Sequence, residues 1–330
     1  MLRPILLLLL SIGPSLLLAD SPPPQLILDA TSGARDPLGE ALRIVYLPGS
    51  DRLEVYREGL SEPLVTHNIR SDMRPYLHPV RPWDGRGVFT EIHPAHHPHQ
   101  TGIYWGLKRL NGRDYFMKNG ATHYRRHDAE VVTISGAAVT WIVRYELLDE
   151  TGAAVLRETH HWKATGHAGA LVLDLMWEGE AFADVVVGEF FVGGLFVRMP
   201  WRPDIGAEVV NALGERNFPE AEGHRARWVD VGMEIAGRSD WGHIAILDHP
   251  ANPAAPTPWR VDEQGGVGPS RQILGDWTLR LGQTASERYR LIIYTGRLVP
   301  AEMDVYWRAY SGEPGEAAVG GRANATTASP

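Results

Sequence analysis

The sequence predicts an all-β protein, a large antiparallel β-sandwich with one short C-terminal helix. Three observations predict it: apolar and polar residues alternate over many short runs, turn residues punctuate those runs, and helical periodicity is scarce. Gly and Pro are abundant, at 35 and 24 of 330 residues. Ala41 to Leu47, the turn Pro48-Gly49-Ser50-Asp51 and Arg52 to Tyr56 read as a hairpin. Val139 to Leu147 turns at Asp149-Glu150-Thr151-Gly152 and returns as Ala154 to Lys163. Leu171 to Trp177, Arg227 to Ile235, His243 to Leu247, Trp277 to Leu281 and Tyr289 to Tyr294 continue the series. This spacing fits an antiparallel sandwich better than alternating β-α units. The helix is expected over Pro300 to Tyr310. Pro sits near its first turn, Glu302 and Asp304 lie early, Met303, Tyr306, Trp307 and Tyr310 form one stripe, and Gly312 stops it.

Residues 1–19 carry one positive charge at Arg3, an apolar middle interrupted by Gly13 and Pro14, and Ala19 before Asp20. This is the pattern of a secretory signal peptide cleaved after Ala19. Its apolar run is short of the roughly 20 residues of a membrane span, and no later stretch reaches that length. A Pro-rich leader (20–25), a single domain (26–312) and a disordered tail (313–330) are expected to follow. The mature protein is therefore expected to be exported, periplasmic or extracellular, with no membrane span. The chain has no cysteine, which removes disulfides, thiol nucleophiles and thiolate metal sites together. A core alone must hold it, and a chain of this size buries about three quarters of its unfolded surface. The net charge of −8 argues against nucleic acid as a partner.

The most chemically loaded segment is Glu91-Ile92-His93-Pro94-Ala95-His96-His97-Pro98-His99. Pro94 and Pro98 bias His93 and His97 towards extended backbone. In an extended chain, residues two apart share a face, so His97 and His99 are expected to project together, with His93 joining them and His96 turned away. Such a pair suits either a metal ion or acid–base chemistry, because neutral imidazole serves both. Ile103 to Leu107 reads as a strand that turns at Asn111-Gly112 and returns through Asp114-Tyr115-Phe116. Arg74 and Arg198 offer planar forks of donors for a carboxylate or sugar hydroxyls, or else structural ion pairs. Glu189, in an apolar Gly-rich run, would have a raised pKa and act as a general acid if buried, or else is a strand residue on the solvent face.

Arg74-Pro75-Tyr76-Leu77-His78-Pro79, Asp84-Gly85, His97 to Gly106 and Asn111 to Phe116 resemble the PmoA-like family of exported bacterial proteins. Gly193 to Arg198, Arg227 to Asp230 and Ala245 to Pro253 extend the resemblance over nearly the whole mature domain. The chain departs from the family pattern at Gln100-Thr101, where the family has a second histidine and a basic residue, and it carries an extra histidine at His96. The resemblance implies a galactose-mutarotase-like or related β-sandwich, associated with polysaccharide use. The family label, methane oxygenase, names an integral membrane enzyme, and methane oxidation is not carried over to a chain without spanning segments.

Three functions are compatible with these residues. The first is a carbohydrate-active enzyme (lyase, hydrolase or epimerase) acting on a small-molecule or oligosaccharide substrate. His97, His99, Tyr76 and Glu189 would be its catalytic groups, and Arg74, His78, Tyr104 and Arg198 its substrate-binding groups. The second is a metal-dependent oxidoreductase in which His93, His97 and His99 hold one divalent ion, copper or iron. The third is a noncatalytic module for glycan or metal.

Overall fold

Alternating sequence becomes strand throughout the computed structural model, which describes residues 41–312. The expected signal peptide, leader and tail lie outside the described residues. In chain order the strands are β1 (Leu42–Leu47), β2 (Arg52–Arg57), β3 (Val65–Asn68), β4 (Tyr76–Val80), β5 (Ile103–Gly106) and β6 (Tyr124–Thr133). Next come β7 (Ser135–Gly136), β8 (Ala138–Leu148), β9 (Ala154–His167), β10 (Ala170–Ala181), β11 (Val185–Val187), β12 (Gly194–Arg198) and β13 (Ala207–Asn211). The series ends with β14 (Trp228–Glu234), β15 (Trp241–Asp248), β16 (Trp259–Val261), β17 (Gly266–Pro269), β18 (Trp277–Leu279) and β19 (Thr284–Gly296).

Two large sheets result, one of nine strands in the order β16-β17-β12-β5-β4-β3-β2-β1-β7 and one of eight in the order β13-β14-β15-β19-β10-β9-β8-β6, beside a two-stranded ribbon β11-β18. Neighbouring strands pair antiparallel, as between β9 and β10 and between β5 and β12. The inner faces meet in one apolar core. Trp105 of β5 stacks on Trp177 of β10 with ring centroids 4.4 Å apart. Trp141 of β8 donates its indole N–H to His67 of β3 at 2.9 Å. Both contacts cross from one sheet to the other.

The predicted helix forms over Pro300–Ser311, with Gly312 beyond it in the left-handed conformation. Its apolar stripe covers part of the outer face of the eight-stranded sheet, where Met303 and Tyr306 pack on Trp228, Leu247 and Ile292. No helix among the described residues is long and apolar enough to cross a membrane.

One predicted element is absent. Asn111 (φ 48°) and Gly112 (φ 81°) make the expected tight turn between Leu110 and Arg113, but 114–116 do not return as a strand. The two edges of β5 are already taken by β4 and β12. The segment instead wraps around the Asp114 carboxylate, which accepts the N–H groups of Phe116 and Met117 at 2.9 Å each.

Candidate functional site

The adjacent strands β4, β5 and β12 alternate between core and outer face. Leu77, Ile103, Trp105, Leu195 and Val197 face the core, so Tyr76, His78, Tyr104, Phe196 and Arg198 project from the opposite side. Register aligns Tyr76 with Tyr104 and Tyr104 with Phe196. Tyr104, Phe116 and Phe196 form an aromatic cluster with centroid separations of 5.2 to 5.5 Å. The Arg74 guanidinium lies 3.7 Å over the Tyr104 ring. Arg74, Tyr76, His78, Tyr104 and Arg198, predicted singly from sequence, are thus gathered on one face.

The histidine segment lies in the connection from β4 to β5 and folds over this face. It is not extended as expected. Ile92 bridges Thr101, the His93 N–H donates to the Gln100 carbonyl, and two successive turns run from Pro94 to His97 and from His97 to Gln100. Proline explains the difference: Pro98 sits second in its turn, where its fixed φ is favoured, and the backbone hydrogen bonds outweigh the local extended bias. His93 takes φ 52° and binds the Pro98 carbonyl through Nδ1 at 2.6 Å, within its own loop. Gly102 closes the loop at φ 72°, and a Cβ there would collide with the Leu77 carbonyl oxygen.

Turning the loop back on itself brings His96, His97 and His99 into a row, with centroids 5.0 and 5.6 Å apart. His96, expected to face away, points to the site: its Nε2 lies 2.9 Å from Nη2 of Arg198, and its Nδ1 lies 2.9 Å from Nδ1 of His97. A guanidinium can only donate, so His96 Nε2 accepts, and its proton sits on Nδ1 and is donated to His97. His97 then carries its own proton on Nε2. Arg198 therefore sets the tautomer of both rings.

Arg198 is fully buried, 3.4 Å from Glu91, which also lies 3.6 Å from the exposed Arg202. The structural ion-pair reading thus describes the Nε side of Arg198. Arg74, equally buried, instead donates to the carbonyls of Phe116 and His99 and to the Thr101 hydroxyl. Gln100-Thr101, the departure from the expected motif, is therefore where this loop meets Arg74. Asp262 completes the face. Its Oδ1 accepts the N–H groups of Gln264 and Gly266 at 2.9 and 2.7 Å. Gly266 aligns with Arg198 across the β12–β17 pair, and a Cβ at Gly266 would meet Asp262 Oδ2 at 2.5 Å and the Phe196 ring at 2.6 Å. That close approach requires glycine and places the Asp262 carboxylate beside Arg198.

These surroundings disfavour the charged form of His78, His96 and His99. Burial, then the Arg74 charge and His97, pulls His99 down to about 4. Burial, then Arg81 and His93, pulls His78 to about 4, and its Nδ1 pairs with the Thr90 hydroxyl at 2.9 Å. His96 is lowered by burial first and by Arg198 second. Burial raises Tyr76, so its phenol stays protonated. No hydrogen bond among the described residues occupies a ring nitrogen of His99, whose ring contacts are His97 and Phe116. Four buried polar atoms here have no partner among the described residues: Arg198 Nη1, the Tyr104 hydroxyl oxygen, Gln100 Oε1 and Arg74 Nε.

Two catalytic or metal assignments are corrected. Glu189, a general acid only if buried, is exposed instead; it follows β11, its N–H bonds Asp276 and its carbonyl accepts from Arg109. Of the apolar residues around it, Val187 belongs to the two-stranded ribbon β11–β18, while Phe190 and Val192 pack on the Tyr104–Phe116–Phe196 cluster, and the carboxylate stays outside both. His93, His97 and His99 do not converge as metal ligands, because the turns direct His93 into its own loop. No group of three or more His, Asp or Glu among the described residues is arranged to hold a metal ion. Sequence reading passed over Glu91, His96, Asp262, Phe116 and Phe196 as site residues. Glu91 and His96 stood within the singled-out segment; Asp262 had no local signal beyond its Gly-rich turn.

The profile of DUF6807, a family of unknown function, matches residues 53–308. No curated protein matches the chain. Among solved structures, the chain is similar to an α-galactosidase of Geobacillus stearothermophilus crystallised with stachyose, at 10% identity and TM-score 0.38, covering 77% of this chain and 40% of that one. A polysaccharide lyase aligns at 11% identity and TM-score 0.31, over 78% of this chain and 33% of the lyase. A galactose mutarotase related enzyme of Lactobacillus acidophilus aligns at 9% identity and TM-score 0.28, over 76% of this chain and 97% of that one. The chain thus spans less than half the length of the galactosidase and the lyase. The resemblance to the PmoA-like family rests on the motifs alone.

Proposed function

The chain belongs to DUF6807, a family of unknown function, so its chemistry has to be read from its own site, and we propose that it is a carbohydrate-active enzyme working by proton transfer. The observation that carries this reading is His99. It is a neutral imidazole whose two nitrogens have no hydrogen-bond partner among the described residues, beside a buried guanidinium and over an aromatic face with unpaired polar groups. A neutral imidazole with a free lone pair is a general base. Tyr76, held protonated by burial on the same face, is the proton donor. His97, oriented by the Arg198–His96 chain, presents an N–H to the substrate. Arg74, His78, Tyr104 and Arg198 provide the polar lining, since sugar recognition needs a few fixed hydrogen-bonding groups. With the signal peptide that the N-terminal sequence predicts, the enzyme works outside the cytoplasm, in the periplasm or the medium.

The test is turnover of a panel of soluble glycans and oligosaccharides by the purified protein, followed by product chromatography. His99→Gln should lower kcat by about 10²-fold or more, the usual contribution of a general base. Tyr76→Phe should act in the same direction. Wild-type rates from His99→Gln on a substrate the protein turns over would overturn the assignment.

A further inference from the structure

We infer that the sugar ring handled at this site carries a carboxylate, so that the substrate is a uronic-acid glycan; this rests on the acid–base reading above. The first support is charge. Around this face stand the cations Arg74, Arg198, Arg202 and Lys108 and the carboxylates Glu91, Asp114 and Asp262, and Arg81, beside His78, is paired with Glu62 at 3.6 Å. Lys108 is matched by Asp114 at 2.6 Å. Glu91 lies between Arg198 and Arg202. Arg74 has only carbonyls, a hydroxyl and an aromatic ring around its guanidinium. A buried charge without a counter-charge is costly, and an anion brought by the substrate offsets that cost.

The second support is geometry. Arg198 Nη1 and the Tyr104 hydroxyl are buried donors without partners among the described residues. Tyr104 is opposite Phe196 in the β5–β12 register, and Arg198 is two residues further along the same side of β12. Two residues of strand is roughly 7 Å, a distance that two long side chains close. Each of these donors suits one oxygen of a carboxylate, and Gln100 Oε1 remains as an acceptor for a ring hydroxyl. Arg198 reaches the exposed His96 through Nη2 and the part-exposed Glu91 through Nε.

A carboxylate beside a base also defines the reaction. In a uronate the C5 proton is α to the carboxylate and becomes more acidic when that carboxylate is neutralised by guanidinium. His99 takes the C5 proton, the C5–H electron pair forms the C4=C5 bond, the C4–O4 bond breaks, and the departing glycosyl oxygen takes the Tyr76 proton. The products are an unsaturated uronate and a shortened chain. No oxidant, reductant or water is consumed.

The experiment compares a polyuronate with its carboxyl-reduced, neutral counterpart, and includes a sulfated neutral glycan, using the full protein and its Tyr104→Phe variant. Expected is release of a product with the ultraviolet absorbance of the conjugated alkene from the polyuronate, and nothing from the other two. Tyr104→Phe removes a hydroxyl that has no partner in the free protein, so its melting temperature should hold or rise. Its KM for polyuronate should rise about tenfold or more, the value of a hydrogen bond to a charged group. Turnover of the neutral or sulfated glycan with no action on polyuronate overturns the carboxylate inference and leaves the proton-transfer reading intact. Inactivity on all three together with no binding of polyuronate overturns both. An unchanged KM in Tyr104→Phe overturns the assignment of that hydroxyl.

Discussion

Arg198 ties the histidine loop to the sheet, and Arg198→Met, which keeps the bulk and deletes the charge, isolates that role. In the native site the guanidinium is 3.4 Å from Glu91 and bonded to His96 Nε2. At an effective dielectric of about 20, an ion pair at this distance has a gross attraction of roughly 5 kcal/mol. Freeing the variant from the desolvation of a fully buried guanidinium returns several kcal/mol, and Glu91 keeps Arg202 and some contact with solvent. The net expected loss is about 1–3 kcal/mol at pH 8. The loss should also depend on pH. His96 has its pKa lowered in the folded state by burial and by Arg198. Native stability therefore falls as pH drops below the unfolded value of 6.5 towards the folded one. In Arg198→Met the second cause disappears and the first remains, so the His96 pKa rises part of the way and that acid penalty shrinks. The variant's deficit should be smaller at pH 5 than at pH 8. Urea unfolding at both pH values, with an NMR titration of the His96 ring, measures the two effects. A deficit that grows at pH 5, or a His96 titration identical to wild type, would refute the hydrogen-bond chain from Arg198 through His96 to His97.

Three further outcomes follow from the same geometry. His78 is depressed from 6.5 to about 4, so folding stability should decline as pH falls from 6.5 to 4 and level off below; the shift corresponds to about 3.4 kcal/mol, roughly halved because the residue is only part-buried. His78→Gln should flatten that limb in urea titrations, and an unchanged slope would contradict the assignment. Gly102→Ala forces a side chain onto a positive-φ residue packed against the Leu77 carbonyl, and should cost on the order of 2–4 kcal/mol in thermal unfolding; an unaltered melt would show that the loop closes differently. Glu189→Ala should change stability by less than about 0.5 kcal/mol, as at other exposed positions, and leave turnover unchanged. A large drop in kcat would return that carboxylate to the reaction.

Strands, the hairpin turn at Pro48 to Asp51 and the C-terminal helix were legible because each is encoded within a dozen residues by alternation, turn chemistry or a stripe. Legible for the same reason was the chemical density of 91–99. Conformation within that segment was not. Proline bias alone made it extended, whereas the bonds from His93 to Gln100 and from His97 to Pro94 require the two ends of the loop to be brought together first. The return strand at 114–116 failed for a related reason: whether an edge of β5 is open depends on β12, some ninety residues on.

By itself, the sequence determined the β architecture and marked most of the groups that now face one another: Arg74, Tyr76, His78, His97, His99, Tyr104 and Arg198. It also determined the absence of thiol chemistry. Only the tertiary structure decided that His96 turns inward to Arg198, that Asp262 joins them across β17, that Glu189 faces solvent, and that His93 binds its own loop. The physical reason is that periodicity specifies which face of a strand a residue occupies, while strand order and register specify its neighbours. Those are set by the packing of two whole sheets on one core, and no local stretch of the chain contains that information.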